Sequence, residues 1–215
     1  PVAGIVGTSM GAIIGGLYAV GYSASEIEGL IEELDLTAIL LDRAVPELVP
    51  AGEEEAMIRR PLFRLSFDEE GKLIGPKGGL PAVRLLNEIA AIVAQRAQAV
   101  DFYKLPIPFA AVATDLETGE AVVLRRGNLA SAMGASMAIP GLFEPWLYEG
   151  RLLVDGGLVA NVPVRIAKEL FPGYPVIAVD VSGGLASKDE LRSLADIVGQ
   201  AITILTRGNV EEDLK

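Results

Sequence analysis

Apolar positions along the chain fall into short runs separated by turn residues, and their spacing changes from run to run. Val2 to Val6 is apolar throughout and carries three β-branched residues, so it reads as a buried parallel strand at the centre of a sheet. Gly7-Thr8-Ser9-Met10-Gly11 is a sharp turn. Ala12 to Val20 follows as a buried helix with one small side (Ala12, Gly15, Gly16, Ala19), and Gly21 ends it. Ser23 and Glu26 have capping-box spacing and open a helix to about Leu34. Residues 35–61 contain Pro46, Pro50, Pro61 and Glu53-Glu54-Glu55 and lose periodicity. They read as a solvated insertion, with a lid over the site as the other reading, and residues 42–79 as a whole read as a surface insertion. Inside it, Phe63 to Phe67 alternates and meets Lys72-Leu73-Ile74 across Glu70-Gly71, which predicts a small hairpin.

After the loop Gly78-Gly79-Leu80-Pro81, Ala82 to about Val100 is a long helix and Pro108 to Ala113 an apolar strand. Thr118-Gly119-Glu120 turns the chain into Ala121 to Leu124. Asn128 can cap the next helix, which stops before Pro140. Residues 143–154 predict a tight antiparallel pair around Glu149-Gly150, and Pro163 suits the first turn of a helix. Pro175 to Val181 reads as a buried strand, and Ser187 with Glu190 as a second capping box opening a helix to about Leu205. Strands alternating with helices predict an α/β fold: a three-layer α/β/α domain around a central, mostly parallel sheet.

Composition narrows the chemistry. A chain of 215 residues, 51% hydrophobic, is one domain with a substantial core. It has no cysteine and no histidine, so thiolate nucleophiles, Ser-His-Asp triads and histidine metal sites are excluded. A general base must then be a carboxylate, a lysine or the backbone environment. The net charge of -11 makes nucleic acid a poor partner and gives no strong attraction to an anionic membrane, though it does not forbid a hydrophobic patch that touches lipid. Pro1 and Val2 open the chain inside a buried run, which leads us to expect missing residues on both sides of the segment.

Gly7-Thr8-Ser9-Met10-Gly11 matches the nucleophile elbow G-x-S-x-G, with an apolar strand before it and a small-residue helix after it. Gly7 and Gly11 leave room beside a strained serine, whose hydroxyl emerges at a helix N-terminus where backbone N–H groups face developing negative charge. The Met10 N–H is the natural first oxyanion donor. Asp155 is the best carboxylate partner: it ends Leu152-Leu153-Val154 and meets Gly156 and Gly157, although Asp-Gly-Gly is equally a plain turn. Asp115 and Asp180 also lie at strand ends, where they cap loop N–H groups or, less simply, form a divalent-metal pair. The apolar stretch Ile139 to Trp146 reads as core or as the wall of an acyl channel.

Taken together, these residues resemble the patatin-like phospholipases, especially the bacterial members, over nearly the whole chain. Gly7-Thr8-Ser9-Met10-Gly11-Ala12 resembles the family's elbow and Asp155-Gly156-Gly157 its Asp-Gly-Gly/Ala motif. Val112-Ala113-Thr114-Asp115-Leu116, Thr118-Gly119, Ala135-Ser136-Met137-Ala138-Ile139-Pro140-Gly141, Asn161 and Pro163 are similar as well. The resemblance implies a patatin-like domain with a Ser9–Asp155 dyad that hydrolyses a phospholipid or fatty-acyl ester through an acyl-enzyme, with no metal or cofactor. Asp115, Asn161 and Asp180 would support the site. It also implies transient contact with a membrane or micelle surface, and a bacterial setting that is cytoplasmic or secreted and cell-surface. An exposed apolar rim would allow a homodimer. The family's glycine-rich oxyanion loop would lie ahead of Pro1, and the last part of the fold beyond Lys215. Other readings are an inactive fragment, a non-catalytic lipid-binding relative and a small-ester esterase.

Overall fold

The structure is a computed structural model, and it describes residues 1–33, 66–67, 73–74, 83–96, 100–192 and 194–213. The main sheet has five strands: β1 (Ile5–Thr8), β4 (Phe109–Asp115), β5 (Ala121–Leu124), β6 (Trp146–Tyr148) and β7 (Arg151–Asp155). The hairpin expected in the insertion is present as β2 (Ser66–Phe67) paired with β3 (Leu73–Ile74). The rest of the 42–79 insertion lies outside the described residues. The helices are α1 (Met10–Ala19), α2 (Ala24–Glu33), α3 (Val83–Ala94), α4 (Leu129–Ser136), α5 (Gly157–Ala160), α6 (Val164–Leu170) and α7 (Leu194–Asp213). Among the described residues, no helix is long and apolar enough to cross a membrane.

The three layers follow from the two faces of β4, which is buried along its whole length. Phe109, Ala111 and Ala113 point into the larger core with residues of α1, α2, α3 and α4. Val112, one step out of phase, packs on the opposite side with Ala160 of α5 and Ile166 of α6. This is the period-two alternation of a strand covered on both faces.

The sheet is mixed and mostly antiparallel, which corrects the expectation of a mostly parallel one. Among the described residues of this sheet only β1 and β4 run parallel; the pairs β4–β5, β4–β7 and β6–β7 are antiparallel. The connections decide this. Glu149 and Gly150 alone join β6 to β7, and residues 116–120 join β4 to β5, whereas a parallel crossover needs about a dozen residues or more. The β1–β4 link is long enough to carry α1, α2 and α3.

Other expectations shift. β1 begins at Ile5 and stands at one end of the strand order β1-β4-β7-β6, not at its centre. Pro175 to Val181 forms no strand among the described residues, and Ile177, Val179 and Val181 are 89%, 74% and 79% exposed. Alternating β-branched residues give a segment the capacity for a strand, but the ladder needs a neighbour, and none pairs with it here. The Ser187–Glu190 box does form, with the Ser187 N–H donating to Glu190 Oε2 at 2.7 Å, yet it closes only a turn; α7 starts later, at Leu194. The box at Ser23 and Glu26 does open α2, and Asn128 Oδ1 accepts the Ser131 N–H at 2.8 Å to cap α4. The long helix after the insertion ends at Ala94, short of Val100.

Candidate active site

The site is built where two strands meet end to end on one edge of β4. β5 occupies the other edge, from Ala111↔Leu124 to Thr114↔Ala121. The remaining edge is divided: β1 covers its first part, ending at Thr8↔Val112, and β7 covers its second part, ending at Ala113↔Asp155. β1 is parallel to β4 and β7 antiparallel, so their C-terminal ends face each other at the Val112–Ala113 peptide. Ser9 follows the end of one strand and Asp155 is the last residue of the other.

Their side chains touch. The Ser9 hydroxyl donates to Asp155 Oδ2 at 2.6 Å. Ser9 holds φ 55° and ψ -124°, a left-handed backbone that a residue with a Cβ adopts only under constraint. Its N–H donates to Ser136 Oγ at 2.9 Å, and its carbonyl accepts the N–H groups of Ala12 at 2.9 Å and Ile13 at 3.3 Å. One residue earlier, Thr8 Oγ1 donates to the Ala160 carbonyl at 2.8 Å. The elbow is thus tied to α4, α1 and α5 at once.

Asp155 is 7% exposed, while Ser9 is half-buried. Asp155 Oδ1 accepts the Gly157 N–H at 2.7 Å, so both carboxylate oxygens are partnered. The Asp155 backbone is fixed too: its N–H donates to the Ala138 carbonyl at 2.9 Å and its carbonyl accepts Thr114 Oγ1 at 2.8 Å. Burial pushes the carboxyl's pKa above the ordinary value, and the hydrogen bonds from Ser9 and Gly157 pull it part of the way back. A buried carboxylate poised this way is suited to accept a proton from the hydroxyl beside it.

The motif glycines divide into two kinds. A Cβ on Gly7 would run into the Gly11 carbonyl, and one on Gly156 into the Val112 carbonyl. A Cβ on Gly157 would lie 2.9 Å from Asn161 Oδ1 and 3.0 Å from Asp155 Oδ1. Gly11 is different: among the described residues nothing lies within 4 Å of its Cβ position, so packing does not demand glycine there. Met10 opens α1 and is 40% exposed; among the described residues its N–H has no acceptor.

The supporting residues are not gathered at the dyad. Asp115 accepts the Glu117 and Thr118 N–H groups at 2.9 and 3.3 Å and lies 3.7 Å from Arg151. Asp180 is exposed and accepts the Ser182 N–H at 2.9 Å, a bond that with the Ser182 hydroxyl holds its carboxyl below the ordinary range. Both serve as caps of loop N–H groups. Asn161 stands closer, against Gly157, and donates to Ser182 Oγ at 2.9 Å. The apolar stretch after α4 is core: Phe143 is buried, and Ile139, Leu142 and Trp146 pack against the larger cluster.

The sequence reading missed α5, Thr8, Thr114 and the side-chain role of Ser136. Each hydroxyl sits in an apolar run, and that mismatch is the signal that could have marked them.

Residues 1–168 match the patatin-like phospholipase family. The chain belongs to that family. Among its relatives, an uncharacterized NTE family protein of Mycobacterium tuberculosis is 34% identical over 163 residues, covering 76% of this chain and 36% of the relative. A second uncharacterized NTE family protein of the same organism is 29% identical over 177 residues, 75% of this chain and 28% of the relative. Mouse patatin-like phospholipase domain-containing protein 6 is 28% identical over 194 residues, 88% of this chain and 12% of that protein. This patatin-like chain therefore spans about a third of the length of the mycobacterial relatives, and less of the mouse protein.

Proposed function

We propose that this patatin-like domain is a lipid acyl hydrolase in which Ser9 is the nucleophile and Asp155 its base. The observation that carries the reading is the 2.6 Å hydrogen bond from Ser9 Oγ to a buried carboxylate at a strained elbow. Ser9 Oγ attacks the carbonyl carbon of a carboxylic ester as its proton passes to Asp155 Oδ2. The oxyanion that forms lies at the N-terminus of α1, where the Met10 N–H donates to it and the helix dipole favours it. Collapse expels the alcohol, which takes the proton from Asp155, and leaves an acyl ester on Ser9. Asp155 then accepts a proton from water, whose oxygen attacks the acyl carbon; collapse breaks the bond to Ser9 Oγ, which takes the proton back from Asp155, and the fatty acid is released.

The substrate in this reading is a phospholipid or another fatty-acyl ester presented at a membrane or micelle surface. Family membership supports the lipid class. The test compares nitrophenyl esters of short and long chain and a phospholipid in mixed micelles, with S9A as control. Hydrolysis lost in S9A, together with covalent labelling of Ser9 by a fluorophosphonate, is the expected result. A wild type that neither hydrolyses esters nor is labelled would sink it. Turnover confined to short esters would replace the lipid reading with a small-ester esterase.

A further inference from the structure

We infer that Ser136 is a positioning residue that holds Ser9 and Asp155 in register across the seam between β1 and β7; as a statement about catalysis this rests on the hydrolase reading above. Ser136 is the last residue of α4 and is fully buried. Its hydroxyl accepts the Ser9 N–H at 2.9 Å and donates to the Val112 carbonyl at 2.5 Å. Its own carbonyl accepts the Gly156 N–H at 3.3 Å, next to Asp155. Val112 is the β4 residue opposite Thr8, and its neighbour Ala113 is opposite Asp155. One residue therefore touches the nucleophile's backbone, the strand junction and the base's backbone.

The direction of each bond is forced. A hydroxyl has one proton, an N–H can only donate and a carbonyl can only accept. The Ser136 proton must therefore go to Val112, which leaves a lone pair for Ser9. Two consequences follow. The Ser9 N–H is engaged inside the protein, so it is not an oxyanion donor, and that work falls to the following N–H groups. Further, the left-handed Ser9 peptide is held by an acceptor that alanine cannot supply. Without it, Ser9 Oγ is free to leave hydrogen-bond reach of Asp155, and misplacement of a reacting group by about 1 Å can cost on the order of a hundredfold in rate.

The experiment compares S136A, S136C and Y22F in the intact protein. Y22F is the control because the Tyr22 hydroxyl makes a buried hydrogen bond to the Ile92 carbonyl, 2.9 Å long, outside the site. S136A is expected to lower kcat by about 10- to 100-fold with KM within about twofold. S136C, with a weaker donor and acceptor in a similar volume, is expected to fall between S136A and wild type. Loss of the Ser9 bond should also raise the Asp155 titration midpoint and speed hydrogen exchange at the Ser9 amide, both read by NMR. Y22F should lower thermal stability and move none of these. Equal kcat, midpoint and Ser9 exchange in S136A and Y22F, at matched stability loss, would overturn the inference. Should S136A not fold, S136C carries the same comparison. A wild type inert toward esters overturns the hydrolase reading alone; the Asp155 midpoint and Ser9 exchange still decide whether Ser136 holds the pair.

Discussion

At Asp155 one carboxyl is asked to be buried, ionised and hydrogen-bonded at once, and its burial sets the direction in which this group responds to pH. The folded-state pKa lies above the ordinary carboxylate value because desolvation outweighs the bonds from Ser9 and Gly157. In the hydrolase reading proposed above, Asp155 must be ionised to take the Ser9 proton. Hydrolysis should therefore rise with pH through a single ionisation whose midpoint is above 3.8, the ordinary value, and then level off. The stability effect has the opposite sign. Between the unfolded and folded pKa values the folded protein binds more protons than the unfolded chain. The contribution of this group is thus complete below the unfolded value and is lost as pH rises through the folded one. D155N removes that loss and keeps an acceptor for the Gly157 N–H. It should melt at or above the wild-type temperature at neutral pH while losing about 10²- to 10⁴-fold in kcat. Melting curves and rates measured from about pH 4 to 8 check both signs. Ser9 was legible in the sequence because an elbow needs particular neighbours. Asp155 was only half legible from its local pattern: a strand end followed by two glycines made it the best carboxylate, but Asp-Gly-Gly is also a turn and its partner lies 146 positions away. The wider resemblance tipped the balance.

Among the elements, close backbone approaches at the β4 edge and inside the elbow explain why Gly156 and Gly7 have no room for a side chain, whereas Gly11 does. Gly156 passes over the Val112 carbonyl at the seam, and backbone cannot yield as a flexible side chain would. G156A should cost about 1–3 kcal/mol by urea unfolding, the usual range for overpacking, and should reduce activity beyond its effect on stability because Asp155 is displaced. G7A should behave alike, since its Cβ meets the Gly11 carbonyl. G11A meets nothing among the described residues and sits in the first turn of α1. It should fold with stability equal to or slightly above wild type, because alanine has the better helix propensity by about 1 kcal/mol. A G11A chain that folds but loses turnover would mean that the space beside Gly11 is used by substrate. Sequence alone located most of these elements to within a few residues but misjudged the sheet's direction. Local apolar pattern reports that a strand exists; which neighbour it takes, and in which direction, is a tertiary matter. The two-residue link at Glu149-Gly150 did carry directional information and correctly indicated an antiparallel pair.

For the molecule as a whole, β4 is the keystone, because both arms of the site are registered on it and both outer layers rest on it. Phe109 shows this most directly. It is fully buried and its ring lies 6.2 Å from that of Phe102. Where α1 passes it, an added Cβ on Gly15 would lie 2.8 Å from Ile5 of β1 and one on Gly16 would run into the Met133 side chain of α4, with the Phe109 ring next, at 3.6 and 3.3 Å. These two glycines let α1 sit close to β1 and to α4. The small-residue side of α1 was visible in the sequence as spacing. Its reasons, the Ile5 side chain on β1 and the Met133 side chain on α4, were not. F109A should therefore cost about 3–5 kcal/mol, the range for emptying an aromatic core site. Urea unfolding would read this as a lower midpoint with little change in slope. The Ser9–Asp155 bond is anchored by Ser136, Gly157, Ala138 and Thr114, none of which touches Phe109 through a hydrogen bond. The fraction of F109A that remains folded should thus keep a kcat within a few fold of wild type. Should kcat instead fall as far as in S136A, α1 itself would be the element that positions Ser9, and the clamp at the end of α4 would be secondary.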